Sequence, residues 1–166
     1  MWYWYLFLCV IIFNIVAICI KKKLKPIEMY ATIVTCMLIQ TKVDRWTDRL
    51  DWYGFFSRWF IDAPTLLVNM GLYPAAAIIM LNFYPYDKSK WWAAAYILIW
   101  SIASTGFEWT FLKMGYMYYG KDWNLLFSAF SYPVLYLVLL GNLKIVDAIL
   151  QKSECGRKEE HKEKQT

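Results

Sequence analysis

One acidic residue stands apart in this chain. Glu108 lies in an otherwise uncharged run from Trp91 to Leu112, with Ser101, Ser104 and Thr105 before it. Spacings of three, four and seven put these four residues on one face of a helix. An ionisable group within an apolar run is costly unless it faces protein or water. Asp62, Thr65, Asn69 and Tyr73 share a second helical face, and Asn124, Ser128, Ser131 and Tyr132 a third. A carboxylate among amides and hydroxyls can hold a cationic ligand, relay a proton or pair with a lysine, here Lys113. The expected ligand-binding set is therefore Glu108, Asp62, Asn69, Tyr116, Asn124 and Ser128. A plainer role is also open, because Ser, Thr and Asn commonly join membrane helices by hydrogen bonds worth about 0.6 kcal/mol each.

Catalytic signatures are missing. There is no G-x-S-x-G, no H-E-x-x-H and no phosphate-cradling G-x-x-x-x-G-K. The single histidine, His161, sits in a charged tail, and the four cysteines form no C-x-x-C pair, so no metal or cofactor site is expected. An enzyme acting on lipid or isoprenoid would have to work with carboxylates alone, Asp62 and Glu108. A small transporter subunit would need to oligomerise, since no internal repeat is present.

The elements that position these residues follow from hydropathy. Of 166 residues, 60% are apolar and 20% are Phe, Trp or Tyr, against about 45–50% apolar in a soluble domain. Charges fall between long uncharged runs. About 20 apolar residues in a helix cross a hydrocarbon layer of about 30 Å. The pattern predicts an all-α integral membrane bundle with spans near 1–20, 27–41, 61–84, 91–112 and 124–143. The second is short and could instead be re-entrant. Pro26 suits the first turn of that helix, with Glu28 as an N-terminal charge or ion-pair partner. Asp62 suits a cap of the third, and Pro74 a kink in it. Lys21-Lys22-Lys23 follows the first apolar run, whereas a secretory signal carries its positive charge ahead.

Residues 42–60 alternate charges of both signs with aromatic residues, which predicts a segment lying at the bilayer interface. Trp52, Phe55, Phe56 and Trp59 have helical spacing and would form its lipid-facing stripe. Arg45, Arg49 and Trp52 would meet lipid headgroups. Asp44/Arg45 and Asp48/Arg49 would form exposed ion pairs. Residues 151–166 are too charged to bury a core and are expected to be a disordered cytoplasmic tail.

Orientation follows from lysine and arginine. With the N-terminus outside, the inner side would hold Lys21, Lys22, Lys23, Lys25, Lys88, Lys90, Lys144 and the basic tail. The outer side would hold Lys42, Arg45, Arg49, Arg58, Lys113 and Lys121. The inner excess favours N-out, C-in. The net charge of +5 does not imply a nucleic-acid partner, because the basic residues flank apolar runs. The expected partners are membrane lipids and a second copy or another membrane protein.

Tyr73-Pro74, Glu108 with Lys113-x-Gly115, Trp123-Asn124 and Tyr132-Pro133 occur together over residues 30–145. This combination resembles a family of small, uncharacterised multi-pass membrane proteins of endospore-forming bacteria of the Bacillus and Clostridium type. The resemblance implies a bacterial plasma-membrane protein of about five spans. It implies no activity, ligand or site residue.

Overall fold

The computed structural model describes residues 3–55 and 63–163, with side chains as far as Cys155. The described chain is mostly helical. Helix α1 is Trp4–Cys19, α2 is Pro26–Arg49, α3 is Ala63–Leu67, α4 is Tyr73–Asn82, α5 is Lys90–Lys113 and α6 is Leu125–Glu163. A π-turn, Val68–Leu72, welds α3 and α4 into one rod, so five rods stand among the described residues. Two stretches, Ala63–Asn82 and Leu125–Cys155, are long and apolar enough to cross a membrane. Helix α1 is apolar but short, at 16 residues.

The second helix differs from expectation. No separate interfacial segment begins at residue 42. Helix α2 runs unbroken through Lys42, Asp44 and Arg45 to Arg49, 24 residues in all. Those residues keep helical geometry because one face of the extension is buried, at Asp44 and Thr47. Asp44 accepts a hydrogen bond from Gln40 Nε2 at 2.8 Å and so is no exposed ion-pair partner. At the start of α2, Glu28 Oε2 accepts the Lys25 backbone N–H at 2.8 Å, the carboxylate half of a capping box, with Pro26 at the first helical position.

Helices α2 and α5 stop by the same device. Asp51 follows α2 with φ 53°, and Gly115 follows α5 with φ 71°. The Trp52 N–H bonds Thr47 O at 2.9 Å and the Asp51 N–H bonds Asp48 O at 3.2 Å. Likewise the Tyr116 N–H bonds Phe111 O at 2.9 Å and the Gly115 N–H bonds Leu112 O at 3.1 Å. These are paired Schellman endings, which satisfy carbonyls of the last helical turn. Each ending delivers the chain into a short strand, β1 (Tyr53–Phe55) and β2 (Met117–Tyr119). The strands pair antiparallel with Tyr53 opposite Tyr119, Gly54 opposite Tyr118 and Phe55 opposite Met117. Trp52 and Phe55 therefore do not form a helical lipid-facing stripe. Phe55 is buried in β1, and Trp52 stacks on Trp123 at 5.1 Å. Phe56 and Trp59 lie outside the described residues.

The kink expected at Pro74 is the π-turn. Proline lacks the N–H that an α-helix would use there, and the preceding turn widens to accommodate it. Asn14 of α1 closes on this turn, its Nδ2 donating to Gly71 O at 3.1 Å and to Val10 O at 2.8 Å. The opposite end of the same rod is fixed by Asn82, which is 1% exposed. Its Nδ2 donates to Lys21 O at 3.1 Å, and its Oδ1 accepts the Lys23 N–H at 2.7 Å. The α1–α2 turn is thereby tied to the C-terminal end of α4. Strand pairing at one end and this clamp at the other fix the rods as alternating up and down.

Helix α6 continues past Lys152 to Glu163, where a disordered tail is expected. Lys, Glu and Gln are good helix formers, so charge alone does not end a helix already nucleated by its apolar half.

Candidate functional site

Glu108 is the centre of a closed hydrogen-bond cluster. It projects from α5 near the strand-paired end and is 7% exposed. Its Oε1 accepts Tyr119 Oη at 2.8 Å and Ser128 Oγ at 2.7 Å. Its Oε2 accepts Tyr132 Oη at 2.7 Å. Trp123 Nε1 in turn donates to Ser128 Oγ at 2.8 Å. Three elements contribute, namely α5, β2 and the first turns of α6. All three hydroxyls donate, so Glu108 serves as an acceptor on both oxygens, as an ionised carboxylate does. No Lys or Arg among the described residues forms an ion pair with it. Lys113 lies instead over the Trp109 ring, 5.6 Å from its centroid.

The cluster forms part of the wall of a cavity of about 720 Å³ between α2, α4, α5 and α6. The rest of the wall is mainly aliphatic and aromatic, including Phe13, Trp52, Tyr53, Leu72, Trp100, Phe107 and Tyr136. Gln40, Ser104 and Ser131 add polar points. Ser104 and Tyr136 are hydrogen-bonded across the α5–α6 seam. At the rim, Trp46 of α2 and Phe130 of α6 are each 70% exposed. A space of this size and lining suits a small organic ligand.

Behind the α2 wall lies a second buried carboxylate. Asp44 is one helical turn from Gln40 and Thr47, which line the cavity. Its Oδ2 has no hydrogen-bond partner, and neither does Oδ1 of buried Asn69 in the π-turn. The strand tyrosines beside the two acids hold their protons strongly. Burial raises the Tyr53 phenol above its ordinary range, and the charge of Asp44 adds to this. Burial and the Glu108 hydrogen bond raise Tyr119. Both phenols therefore remain donors throughout the neutral range.

The six residues expected to bind a ligand are distributed unevenly. Glu108 and Ser128 meet in the cluster. Asn69 is buried in the π-turn. Tyr116 lies in the core against α1, with ring centroids 6.3 Å from Tyr5 and 5.6 Å from Phe111. Asn124 caps α6, its Oδ1 accepting the Leu126 N–H at 2.9 Å and the Phe127 N–H at 3.2 Å. Asp62 lies outside the described residues. Ser101 and Thr105 bond carbonyls of their own helix, at Ile97 and Ser101, so they do not extend a polar track from Glu108. Arg45 and Arg49 are exposed on α2. Tyr132 shares the predicted polar face with Ser128 but is not among the six, and neither are Tyr119, Trp123 and Gln40.

Among the described residues no group of His, Cys, Asp and Glu could hold a metal ion. Comparison with protein-family models, curated proteins and solved structures found no match for this chain.

Proposed function

We propose that this protein is a multi-pass bacterial plasma-membrane protein that binds a lipid or small amphipathic ligand in the Glu108 cavity. Its N-terminus is outside and its C-terminus cytoplasmic. Five rods of alternating direction support multiple crossings. At 24 residues, α2 and α5 are each about 36 Å long at 1.5 Å per residue, enough to span hydrocarbon. The lysines at 21–25 and 88–90 fall at the Asn82 end, which suits an inner surface. The strand pair and Glu108 then belong to the outer leaflet.

The observation that carries the reading is a buried carboxylate, fully ligated by hydroxyls, in the wall of an otherwise apolar cavity. The ligand's chain would lie among the aromatic side chains, and its polar end near Glu108. The Ser128 hydroxyl does lie against the Glu108 carboxylate, but that carboxylate is held by two further hydroxyls in an apolar wall, and the reading offered is binding.

Native mass spectrometry of the detergent-purified chain tests this. Wild type should retain a ligand or lipid adduct that Ala103→Trp, a cavity-filling change at a lining position, loses. Identical adducts on both proteins would reject the cavity as the binding site. Thiol labelling in intact cells tests the orientation, since Cys155 should react only after the membrane is permeabilised.

A further inference from the structure

The charges around the cavity narrow the ligand class. One buried carboxylate, Glu108, lines it from α5, and a second, Asp44, lies behind its α2 wall. No described lysine or arginine lines it, and none forms an ion pair with either acid. Buried charges are ordinarily paired. Hydroxyls ligate Glu108 without cancelling its charge, and Asp44 has only the neutral amides of Gln40 and Asn69 beside it. The walls add Trp46, Trp52, Tyr53, Trp100, Trp123 and Tyr132, whose ring faces attract cations. An anionic ligand would meet the like charge of Glu108 and negative ring faces. A neutral one would leave that charge uncompensated.

We infer that the cavity selects an organic cation, an ammonium group carried on an apolar body, with Glu108 as its counter-ion. This rests on the reading of the cavity as a ligand site. Aromatic rings with a carboxylate suit an alkylated ammonium, which is weakly hydrated and loses little on leaving water. The apolar wall below Ser104 takes the body of the ligand, and the rim between Trp46 and Phe130 lets it enter sideways from lipid. Asp44 acts at longer range, through its field.

The test uses the full chain in zwitterionic lipid nanodiscs, with empty nanodiscs as background and intrinsic tryptophan fluorescence as readout. The probes are decyltrimethylammonium, its neutral isostere carrying tert-butyl in place of trimethylammonium, and decanoate. Wild type should bind the cation about tenfold or more tightly than the neutral isostere, and decanoate most weakly. Glu108→Gln should bring the cation down to the level that the same variant shows for the isostere. Equal binding of cation and isostere by wild type would overturn the inference and leave a general apolar-ligand cavity standing. Binding of none of the three above background would overturn both. The wild-type ranking decides the matter even where the Gln variant fails to fold.

Discussion

Glu108 and Ser128 are 20 residues apart and meet at 2.7 Å, joining the C-terminal part of α5 to the first turns of α6. The contact matters because it does not stand alone. Tyr132 reaches the other carboxylate oxygen from the next turn of α6, and Tyr119 arrives from β2. One side chain thus fixes how two helices and the strand pair sit together. Glu108→Ala should lower thermal stability by about 1–3 kcal/mol for each hydroxyl that finds no new acceptor. Glu108→Gln keeps one acceptor and should fall between the alanine variant and wild type. Thermal unfolding in detergent gives the order; an alanine variant as stable as wild type would deny the cluster its structural role.

The twin helix endings predict changes of opposite sign. Asp51 and Gly115 occupy equivalent positions with φ 53° and 71°. A side chain at such a φ costs about 1 kcal/mol, which glycine avoids. Asp51→Gly should therefore stabilise by up to about 1 kcal/mol, and Gly115→Ala should destabilise by a similar amount. Both are measured as shifts of the same unfolding transition. A stabilising Gly115→Ala would contradict the assigned ending of α5.

Much of the helical frame was legible. The apolar runs locate α1, the α3–α4 rod, α5 and the first half of α6, because length and hydropathy are local properties. The residues around 42–60 were not. Alternating charges and aromatics suit a surface helix as well as a helix followed by a strand, and only tertiary pairing with Met117–Tyr119 decides between them. Glycine in Lys113-x-Gly115 was the local sign of a helix stop, yet its counterpart Asp51 carried no such sign. In the site, helical spacing singled out Glu108 and Ser128. It also offered Asn124, whose place just before the apolar run is the sequence signature of a cap. Tyr132 shares the predicted polar face with Ser128, but its link to Glu108, like that of Tyr119, exists only once α5, β2 and α6 are assembled.

Alkaline pH should loosen the strand-paired end. The Tyr119 phenol is raised in the folded protein by burial and by its bond to Glu108. A phenol held protonated contributes stability that is fully present below its unfolded value, about 10, and is lost as pH rises through the folded value. Stability should therefore hold from neutral pH to about 10 and decline above it. Tyr119→Phe should start lower and decline less steeply, since it has no proton to lose. Lysines also titrate in that range, so the difference between the two curves is the informative quantity. Parallel curves for the two proteins would show that Tyr119 contributes nothing to the alkaline limb.

Asn82 carries the corresponding task at the other end. It is buried at the end of α4 and satisfies two backbone groups of the α1–α2 turn, Lys21 O and the Lys23 N–H. Neighbouring tyrosines reinforce the same joint, with Tyr96 donating to Met80 O at 2.7 Å and Tyr86 to Leu81 O at 2.8 Å. Asn82→Ala strands a donor and an acceptor and should cost about 1–3 kcal/mol. Asn82→Asp keeps the acceptor for Lys23 but removes the donor to Lys21 O, so it should recover part of that loss at most. Thermal unfolding in detergent ranks the three proteins. An Asn82→Ala variant as stable as wild type would mean that the turn is held by something other than this amide.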